Sequence, residues 1–319
     1  MIRVVLPHTI LSPLFSFMDS AILLENVSKK FKDFVAVDDL SFEVKAGDIY
    51  GFLGPNGSGK STTLRMIMSL IQPSSGSIKL FGSSLAENRS EIMKKIGCII
   101  EKPDFYGYLS AKDNLKLFAR AHLLNYSKSQ FDDLFSLVGL SGRENDKVKT
   151  FSHGMKQRLG LAQALIHEPK LIILDEPNTG LDPQGIIDLR HLIIKLNKER
   201  GITILFSSHI LSEVQEICTN MVVINKGQVV VQGKVDDLLS HENLTVKLEV
   251  VHPKECQQLL SQSKWASVME VHDEKLFVFN MGKDEIPEMV EFLSQNKISI
   301  QRIDYRNQLE DYFLKITQS

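Results

Sequence analysis

Cysteine is scarce in this 319-residue chain: only three are present, at the well-separated positions 98, 218 and 256. Their number is odd, and no two have the close spacing of a zinc or iron–sulfur site. A disulfide scaffold and a cysteine-bound metal centre are therefore both excluded. The pattern is typical of buried thiols in a protein of the reducing cytosol.

An excess of one charge is also missing. Lys and Arg total 37 against 39 for Asp and Glu, which gives a formal net charge of −2. A near-neutral chain gives no electrostatic reason to expect nucleic acid as a partner. No apolar run approaches the roughly 18 residues that a membrane-spanning helix needs, so a membrane role requires a separate membrane chain.

The first 20 residues, MIRVVLPHTILSPLFSFMDS, are apolar but are interrupted by two prolines. They carry one early positive charge and lack a small-residue cleavage site, so they do not resemble a signal peptide. We expect a poorly ordered extension over 1–20, or a chain that truly starts at Met18.

Strand and helix patterns alternate from residue 21 onward. Strand patterns cover 21–27, 40–45, 49–53, 171–174 and 202–206. Helical patterns cover 61–71, much of 110–140, 184–199 and 210–217, with Ser110 and Ser127 as candidate N-caps. Such alternation predicts a mostly parallel sheet that helices cover on both faces.

The pattern changes after about residue 240. Strands are predicted at 243–251, 266–271, 275–280 and 298–304, and helices at 253–262 and 284–295. The order βαββαβ fits a small ferredoxin-like α+β unit. We therefore predict an α/β domain over 21–240 and a small accessory domain over 241–319.

The strand at 49–53 runs directly into GPNGSGKST, which matches GxxxxGK[ST] with a strand before and a helix after. Its glycines let the backbone close around phosphate oxygens, and the helix N-terminus adds partial positive charge. Lys60 can reach the outer phosphates, and the Ser61 hydroxyl can bind Mg²⁺. The whole loop is predicted to bind nucleotide: Gly54, Pro55, Asn56, Gly57, Ser58, Gly59, Lys60, Ser61 and Thr62.

A second pattern is LIILDE, residues 171–176. A buried strand that ends in two acids places carboxylates at the carboxyl edge of the sheet, where the phosphate loop also lies. Asp175 suits a Mg²⁺-linked role, and Glu176 suits polarising an attacking water. An apolar run ending in Asp-Glu is commonplace by itself, but it strengthens the phosphate-site interpretation here.

The segment TFSHGMKQRL, residues 150–159, reads as the start of a helix, whose bare N-terminus attracts anions. With the two other motifs, it resembles the ATP-binding subunit of an ATP-binding-cassette (ABC) transporter over about residues 21–235. GPNGSGKST then corresponds to Walker A and LIILDE to Walker B. FSHGM, residues 151–155, corresponds to the LSGGQ signature, and TGLD, residues 179–182, to the D-loop.

This resemblance implies an α/β P-loop ATPase domain with an antiparallel β subdomain and a helical subdomain at about 101–165. It implies ATP and Mg²⁺ as cofactors. The catalytic residues are then Lys60, Glu176 and His209, the last being the switch histidine. His209 can instead be read as an ordinary structural histidine.

The resemblance also assigns the remaining site residues. Those facing the metal are Ser61, Asp175 and Glu101, the last in place of the usual Q-loop glutamine. Those contacting nucleotide beyond Walker A are Phe31, which stacks on adenine, Ser152, Gly154 and Asp182. The alternative for Phe31 is an ordinary core phenylalanine.

The signature departs from the family pattern at two positions. His153 replaces a glycine and Met155 replaces a glutamine. A bulky side chain at 153 is tolerable if it points outward, away from nucleotide. The other histidines, among them His122, His167 and His191, lie in helical patterns without partners and are interpreted as structural.

The resemblance implies partners as well. A separate transmembrane permease and a second copy of the chain are expected, with the protein peripheral on the inner face of the cell membrane. The resemblance implies that the two copies face each other head to tail. The signature helix, which follows a helical insertion, is also expected to lie far from its own phosphate loop. The tail LEDYFLKIT, residues 309–317, and the segment IIEKPDFYGYLSAKDNL resemble ABC-2 exporters of the bacitracin-resistance and lantibiotic-immunity branch. A soluble ABC ATPase outside transport and an import ATPase are the alternatives.

Overall fold

A computed structural model describes residues 20–100, 103–239, 244–273, 276–307, 309–310 and 313. The predicted extension 1–20, except Ser20, and the predicted domain boundary at 240 lie outside these ranges. Among the helices of these ranges, none has the length and hydrophobicity of a transmembrane span.

Strands and helices alternate along most of the described chain. Its strands are β1 (Ser20–Phe31), β2 (Phe34–Lys45), β3 (Ile49–Leu53), β4 (Ser75–Leu80), β5 (Ser83–Ser84), β6 (Ile96–Ile99), β7 (Leu171–Leu174), β8 (Thr203–Ser208), β9 (Asn220–Asn225), β10 (Gln228–Lys234), β11 (Leu244–Val250), β12 (Met269–Asp273), β13 (Leu276–Met281) and β14 (Ile300–Asn307). Its helices are α1 (Lys60–Ile67), α2 (Leu85–Met93), α3 (Ala111–Ala121), α4 (Lys128–Leu137), α5 (His153–Leu165), α6 (Pro183–Arg200), α7 (Leu211–Ile217), α8 (Val235–Leu238), α9 (Pro253–Ser261) and α10 (Glu285–Gln295).

A six-stranded sheet in the order β10-β9-β3-β8-β7-β6 forms the centre of the α/β unit. Its strands pair in parallel, except that the edge strand β10 runs antiparallel to β9. β3 and β7 are buried along their whole length, as strands covered on both faces must be. The predicted α/β fold is confirmed, and the carboxyl edge of the sheet brings the ends of β3, β7 and β8 together.

Side chains of the central sheet enter two cores. Phe52 and Leu205 lie in one, shared with α1 and a four-stranded antiparallel sheet in the order β2-β1-β4-β5. Leu53 and Phe206 lie in the other, shared with α3, α4, α5 and α6. Each such buried Leu or Phe contributes about 1.5–3 kcal/mol, so the strand ends that carry the site are firmly held.

Both predicted N-caps of the helical region are confirmed. Ser110 Oγ accepts a hydrogen bond from Asp113 N at 3.0 Å, and Ser127 Oγ accepts one from Gln130 N at 3.3 Å. The prediction for α1 was too long, because the helix ends at Ile67 rather than at residue 71. Ser69 has a φ of +54°, so the apolar spacing continues into a turn instead of a helix.

The C-terminal elements form a second unit with the predicted order βαββαβ. Its four strands lie in the order β12-β13-β11-β14, with every neighbouring pair antiparallel. Phe277 and Phe279 are buried in its own core together with residues of α9 and α10. The ferredoxin-like topology is confirmed. Phe313 instead belongs to the core that contains Val235 and Leu239 of the α/β unit.

Two histidines interpreted as lacking partners have partners, so that expectation was wrong. The rings of His122 and His167 stack in parallel, with centroids 4.3 Å apart and an interplanar angle of 2°. His167 Nε2 also lies 3.0 Å from Ile96 O, at the edge strand of the central sheet. The pair therefore joins the end of α3 to the region after α5.

The stacked pair leads to a prediction for stability against pH. Burial and the neighbouring His122 lower the pKa of His167. The unfolded chain then binds a proton more readily than the folded chain, so stability falls as the pH drops below about 6.5. We expect the Tm of the wild type to fall more between about pH 7.5 and about pH 5.5 than that of His167→Gln, as measured by thermal unfolding. An equal fall in both proteins would contradict this role.

Candidate active site

The Walker A loop connects the buried strand β3 to α1 and is built around left-handed glycines. Gly57 has a φ of +79° and Gly59 a φ of +105°. A Cβ on Gly59 would lie 2.6 Å from Ala36 O, so this position excludes a side chain for steric reasons as well. Gly59 is the N-cap of α1 and supplies no side-chain hydrogen bond to it. The first N–H groups of α1 therefore remain available to an anion.

The buried polar groups of this loop are arranged around its interior. Lys60 Nζ donates to Gly54 O at 2.7 Å and to Pro55 O at 3.2 Å, and its side chain is only 5% exposed. Ser58 Oγ is buried without a hydrogen-bond partner among the described residues. An unsatisfied buried hydroxyl and a buried ammonium group in one loop fit a loop that closes around phosphate oxygens.

The two Walker B acids follow β7 at the same edge of the sheet. Ser207, on the neighbouring strand β8, donates from Oγ to Asp175 Oδ1 at 2.6 Å and accepts from Glu176 N at 2.9 Å. Asp175 and Ser207 are both buried. The serine hydroxyl therefore positions both acids, one through its carboxylate and the other through its backbone.

The three predicted catalytic residues lie together. Glu176 Oε1 is 3.2 Å from Lys60 Nζ, and Glu176 Oε2 is 3.2 Å from His209 Nδ1. The second contact lacks the angles of a hydrogen bond. Glu176 has a φ of +45°, an unfavourable conformation for a residue with a side chain, costing about 1–3 kcal/mol. Strain of this kind at a charged residue is typical of functional sites.

Phe31 lies at the end of β1, beside the turn into β2, and is 45% exposed. The alternative that it is an ordinary core phenylalanine is therefore wrong. Lys29 Nζ lies 4.9 Å from its ring centroid, so the ring lies in a polar setting. An exposed ring on the strand pair that packs against the phosphate loop is suited to stacking on a planar base, and adenine binding stays a prediction.

The signature segment forms the start of α5. Ser152 Oγ caps the helix by accepting from Met155 N at 3.3 Å. His153 does not point outward: its half-buried ring places Nε2 at 3.0 Å from Thr179 O in the D-loop of the same chain. A Cβ on Gly154 would first meet Leu181 at 3.6 Å, an ordinary contact distance. The predicted outward orientation of His153 is thus wrong. The phosphate contacts of Ser152 and Gly154 stay predictions.

A crevice of about 360 Å³ runs between the phosphate loop and α5. Ser61, Asp175 and Glu176 line it on one side, and His153 and Gln157 line it on the other. The expectation that the signature helix lies far from its own phosphate loop is wrong, because residues of both line this crevice. Neither Ser152 nor Gly154 is among the described residues that line this crevice.

Comparison with known proteins identifies the family of the chain. Residues 37–179 match the family model described as ABC transporter. The ABC transporter ATP-binding protein YhcH of Bacillus subtilis is 40% identical over 301 residues, covering 94% of this chain and 97% of the relative. The bacitracin transport ATP-binding protein BcrA of Bacillus licheniformis is 38% identical over 300 residues, covering 94% and 98%. The chain belongs to the ATP-binding subunits of ABC transporters.

Solved structures of the ABC family agree with this assignment. A structure described as the ATP-binding subunit of an ABC transporter has a TM-score of 0.62 and 31% identity, and the match covers 68% of this chain and 91% of that one. A dimeric, post-hydrolysis ATP-binding cassette bound to ADP and Pi has a TM-score of 0.60 and 25% identity, with coverage of 67% and 98%. As a member of this family, the ABC subunit is an ATPase.

The residues predicted to hold Mg²⁺ in this ABC subunit are brought together in part. Ser61 and Asp175 line the same crevice, whereas Glu101 lies outside the described residues. Mg²⁺ typically takes one or two protein oxygens, with phosphates and waters completing the octahedron. A hydroxyl and a carboxylate beside a phosphate loop fit that requirement.

Some site residues of the ABC subunit were missed or have a different partner. Ser207 was missed, although its place directly after the strand predicted at 202–206 was a usable signal; in the structure it belongs to that strand, β8. Thr179 was assigned only to the D-loop, and its Oγ1 lies 3.5 Å from Glu176 Oε2. Asp182 Oδ1 accepts from Gly185 N at 3.0 Å, so it caps α6; its predicted nucleotide contact stays a prediction.

Proposed function

We propose that this ATPase powers export of a substrate through a separate membrane permease, by ATP-dependent closure of a homodimer and its reopening after hydrolysis. The observation that carries the proposal is the extent of the similarity to bacitracin transport proteins. It covers 94% of the chain, including the ferredoxin-like unit. A linearmycin resistance ATP-binding protein of Bacillus subtilis is also similar, at 36% identity over 68% of the chain.

The proposed dimer is supported by the position of two signature residues relative to the phosphate loop of their own chain. Ser152 and Gly154 lie at the N-terminus of α5, where backbone N–H groups favour an anion, yet they do not line the crevice of their own phosphate loop. In a head-to-tail pair they face the γ-phosphate of the ATP that the other chain binds. The dimeric cassette with ADP and Pi is a relative in which two chains assemble.

In the proposed mechanism, Lys60 and Glu176 change partners when ATP binds. The ammonium of Lys60 is shared between loop carbonyls and Glu176, and phosphate oxygens offer it a stronger charge partner. Glu176 is then free to accept a proton from the attacking water. His209, beside Glu176, donates to a γ-phosphate oxygen. This exchange makes the base available only when nucleotide is present.

Asp175 and Ser61 would hold the metal in this mechanism, and Ser207 keeps Asp175 oriented. The chemistry that Mg²⁺ supplies when bound is neutralisation of phosphate charge. Phe31 holds the adenine through its exposed face, and the glycines of Walker A admit the phosphates. Each of these contacts serves binding and orientation rather than a proton step.

The proposed contact surface for the permease is the helical region at about 101–150. Tyr106 and Tyr108 are 55% and 68% exposed there, with ring centroids 5.9 Å apart. Exposed neighbouring aromatic rings are enriched where proteins meet. The chain would thus be peripheral on the inner face of the membrane.

Purification from membranes tests this proposal. We expect the tagged chain to be recovered from the membrane fraction together with one multi-spanning protein. With a Tyr106→Ser/Tyr108→Ser variant, the amount of that protein recovered should fall at least about tenfold. The ATPase activity of the variant itself should stay unchanged, because the two rings lie outside the nucleotide site. Tyr305→Ser is a matched control, since Tyr305 is also exposed but lies on β14. Recovery of the wild type without any membrane protein would favour the soluble ATPase instead.

A further inference from the structure

The contact between His153 and the D-loop links two motifs of one chain. His153 is the first residue of α5, and its Nε2 lies 3.0 Å from Thr179 O. A backbone carbonyl can only accept, so the ring nitrogen donates. The D-loop is thereby tied to the start of the signature helix.

The D-loop is shaped to receive this ring. Gly180 has a φ of +78°, and a Cβ there would lie 3.2 Å from two ring atoms of His153, Cδ2 and Nε2. The glycine therefore supplies both the left-handed turn and the space into which the imidazole packs. The imidazole of His153 therefore occupies space that a side chain at position 180 would otherwise need.

The same carbonyl belongs to a short turn that holds Glu176. Thr179 N donates to Glu176 O at 3.1 Å, and Thr179 Oγ1 lies 3.5 Å from Glu176 Oε2. Glu176 has a strained backbone, which persists only where surrounding contacts enforce it. His153, through Thr179, is one of those contacts. A chain of three neighbours thus runs from the signature to the proposed base.

We infer that His153 is a positioning residue that transmits occupancy of one ATP site to the base of the other. This rests on the proposed head-to-tail dimer, in which the signature of a chain faces the partner's ATP while its Glu176 serves its own ATP. A phosphate that engages Ser152 and the start of α5 orders His153, and His153 orders the turn that presents Glu176. The contact acts on turnover and on coupling between sites, not on nucleotide affinity.

Steady-state ATPase measurements on the purified full-length chain test the inference. In His153→Leu, which keeps bulk but cannot donate, kcat should fall about three- to tenfold, the range for one neutral hydrogen bond. The Hill coefficient for ATP should approach 1, with KM changed less than about twofold. His153→Gln places an amide donor the same number of bonds from the backbone and should restore more than about half of the wild-type kcat.

His191→Leu is the matched control, because His191 is exposed on α6. This variant should leave kcat and the Hill coefficient unchanged. A His153→Leu enzyme with wild-type kcat and Hill coefficient, or a Gln variant no better than Leu, overturns the inference. Light scattering of Glu176→Gln in the presence of ATP shows whether the dimer of the proposed function forms, independently of the role of His153. If no dimer forms, the head-to-tail dimer is wrong; if it forms and His153→Leu behaves as wild type, only the inference about His153 is wrong.

Discussion

Replacing Glu176 by glutamine is expected to lower kcat by at least about a hundredfold while ATP stays bound. Glutamine has the same size and tolerates the same backbone conformation, but its amide cannot take a proton from water. The change also removes the carboxylate that pairs with Lys60 at 3.2 Å, so the ammonium is freer to meet phosphates. We expect retained nucleotide to co-elute with the variant in gel filtration and to be recovered as ATP rather than ADP.

Glu199→Gln provides the control for this experiment, since it makes the same chemical change at an exposed position of α6. It should retain wild-type turnover. Turnover of Glu176→Gln close to that of the control would remove Glu176 from the role of base. Recovery of ADP from the variant would lead to the same conclusion.

The second large effect is expected from mixing two inactive variants. Lys60→Ala removes the charge that meets the phosphates, and Ser152→Ala removes the hydroxyl of the signature. Each alone should lose at least about a hundredfold in ATPase activity, as losses of preorganised phosphate or oxyanion contacts typically do. In a mixed head-to-tail dimer, one site contains both defects and the other contains neither.

Random pairing makes half of the dimers mixed, and one of the two sites in each is intact. An equal mixture should therefore regain up to about a quarter of the wild-type activity per chain, whereas either variant alone stays inactive. The measurement is phosphate release after mixing at fixed total protein concentration. A mixture as inactive as its components would count against sites shared between chains.

The parts of the site that could be predicted are the motifs formed by residues adjacent in the sequence. The Walker A loop needs its glycines where the backbone turns, and Gly59 has the left-handed φ that only such a residue takes without strain. The Asp-Glu pair could be placed because a buried strand of four apolar residues precedes it. The ferredoxin-like order followed from the alternation of short strand and helix patterns.

The parts that could not be predicted depend on pairs far apart in the chain or on backbone acceptors. Ser207 lies 32 positions from Asp175 and reaches it only because β7 and β8 are neighbours. The acceptor for His153 is a carbonyl, which every residue has and no pattern marks. The stack of His122 on His167 joins the ends of two helices whose packing the local spacing does not specify.

In the proposed dimer, each ATP site is completed by the signature of the other chain. The most direct test places both substitutions, Lys60→Ala and Ser152→Ala, in one chain and dilutes wild-type chains with an excess of it. Every mixed dimer then has a defect in both sites, so we expect activity per wild-type chain to fall toward zero as the excess grows. Activity per wild-type chain that stays constant on dilution would show that no site depends on the signature of a partner chain.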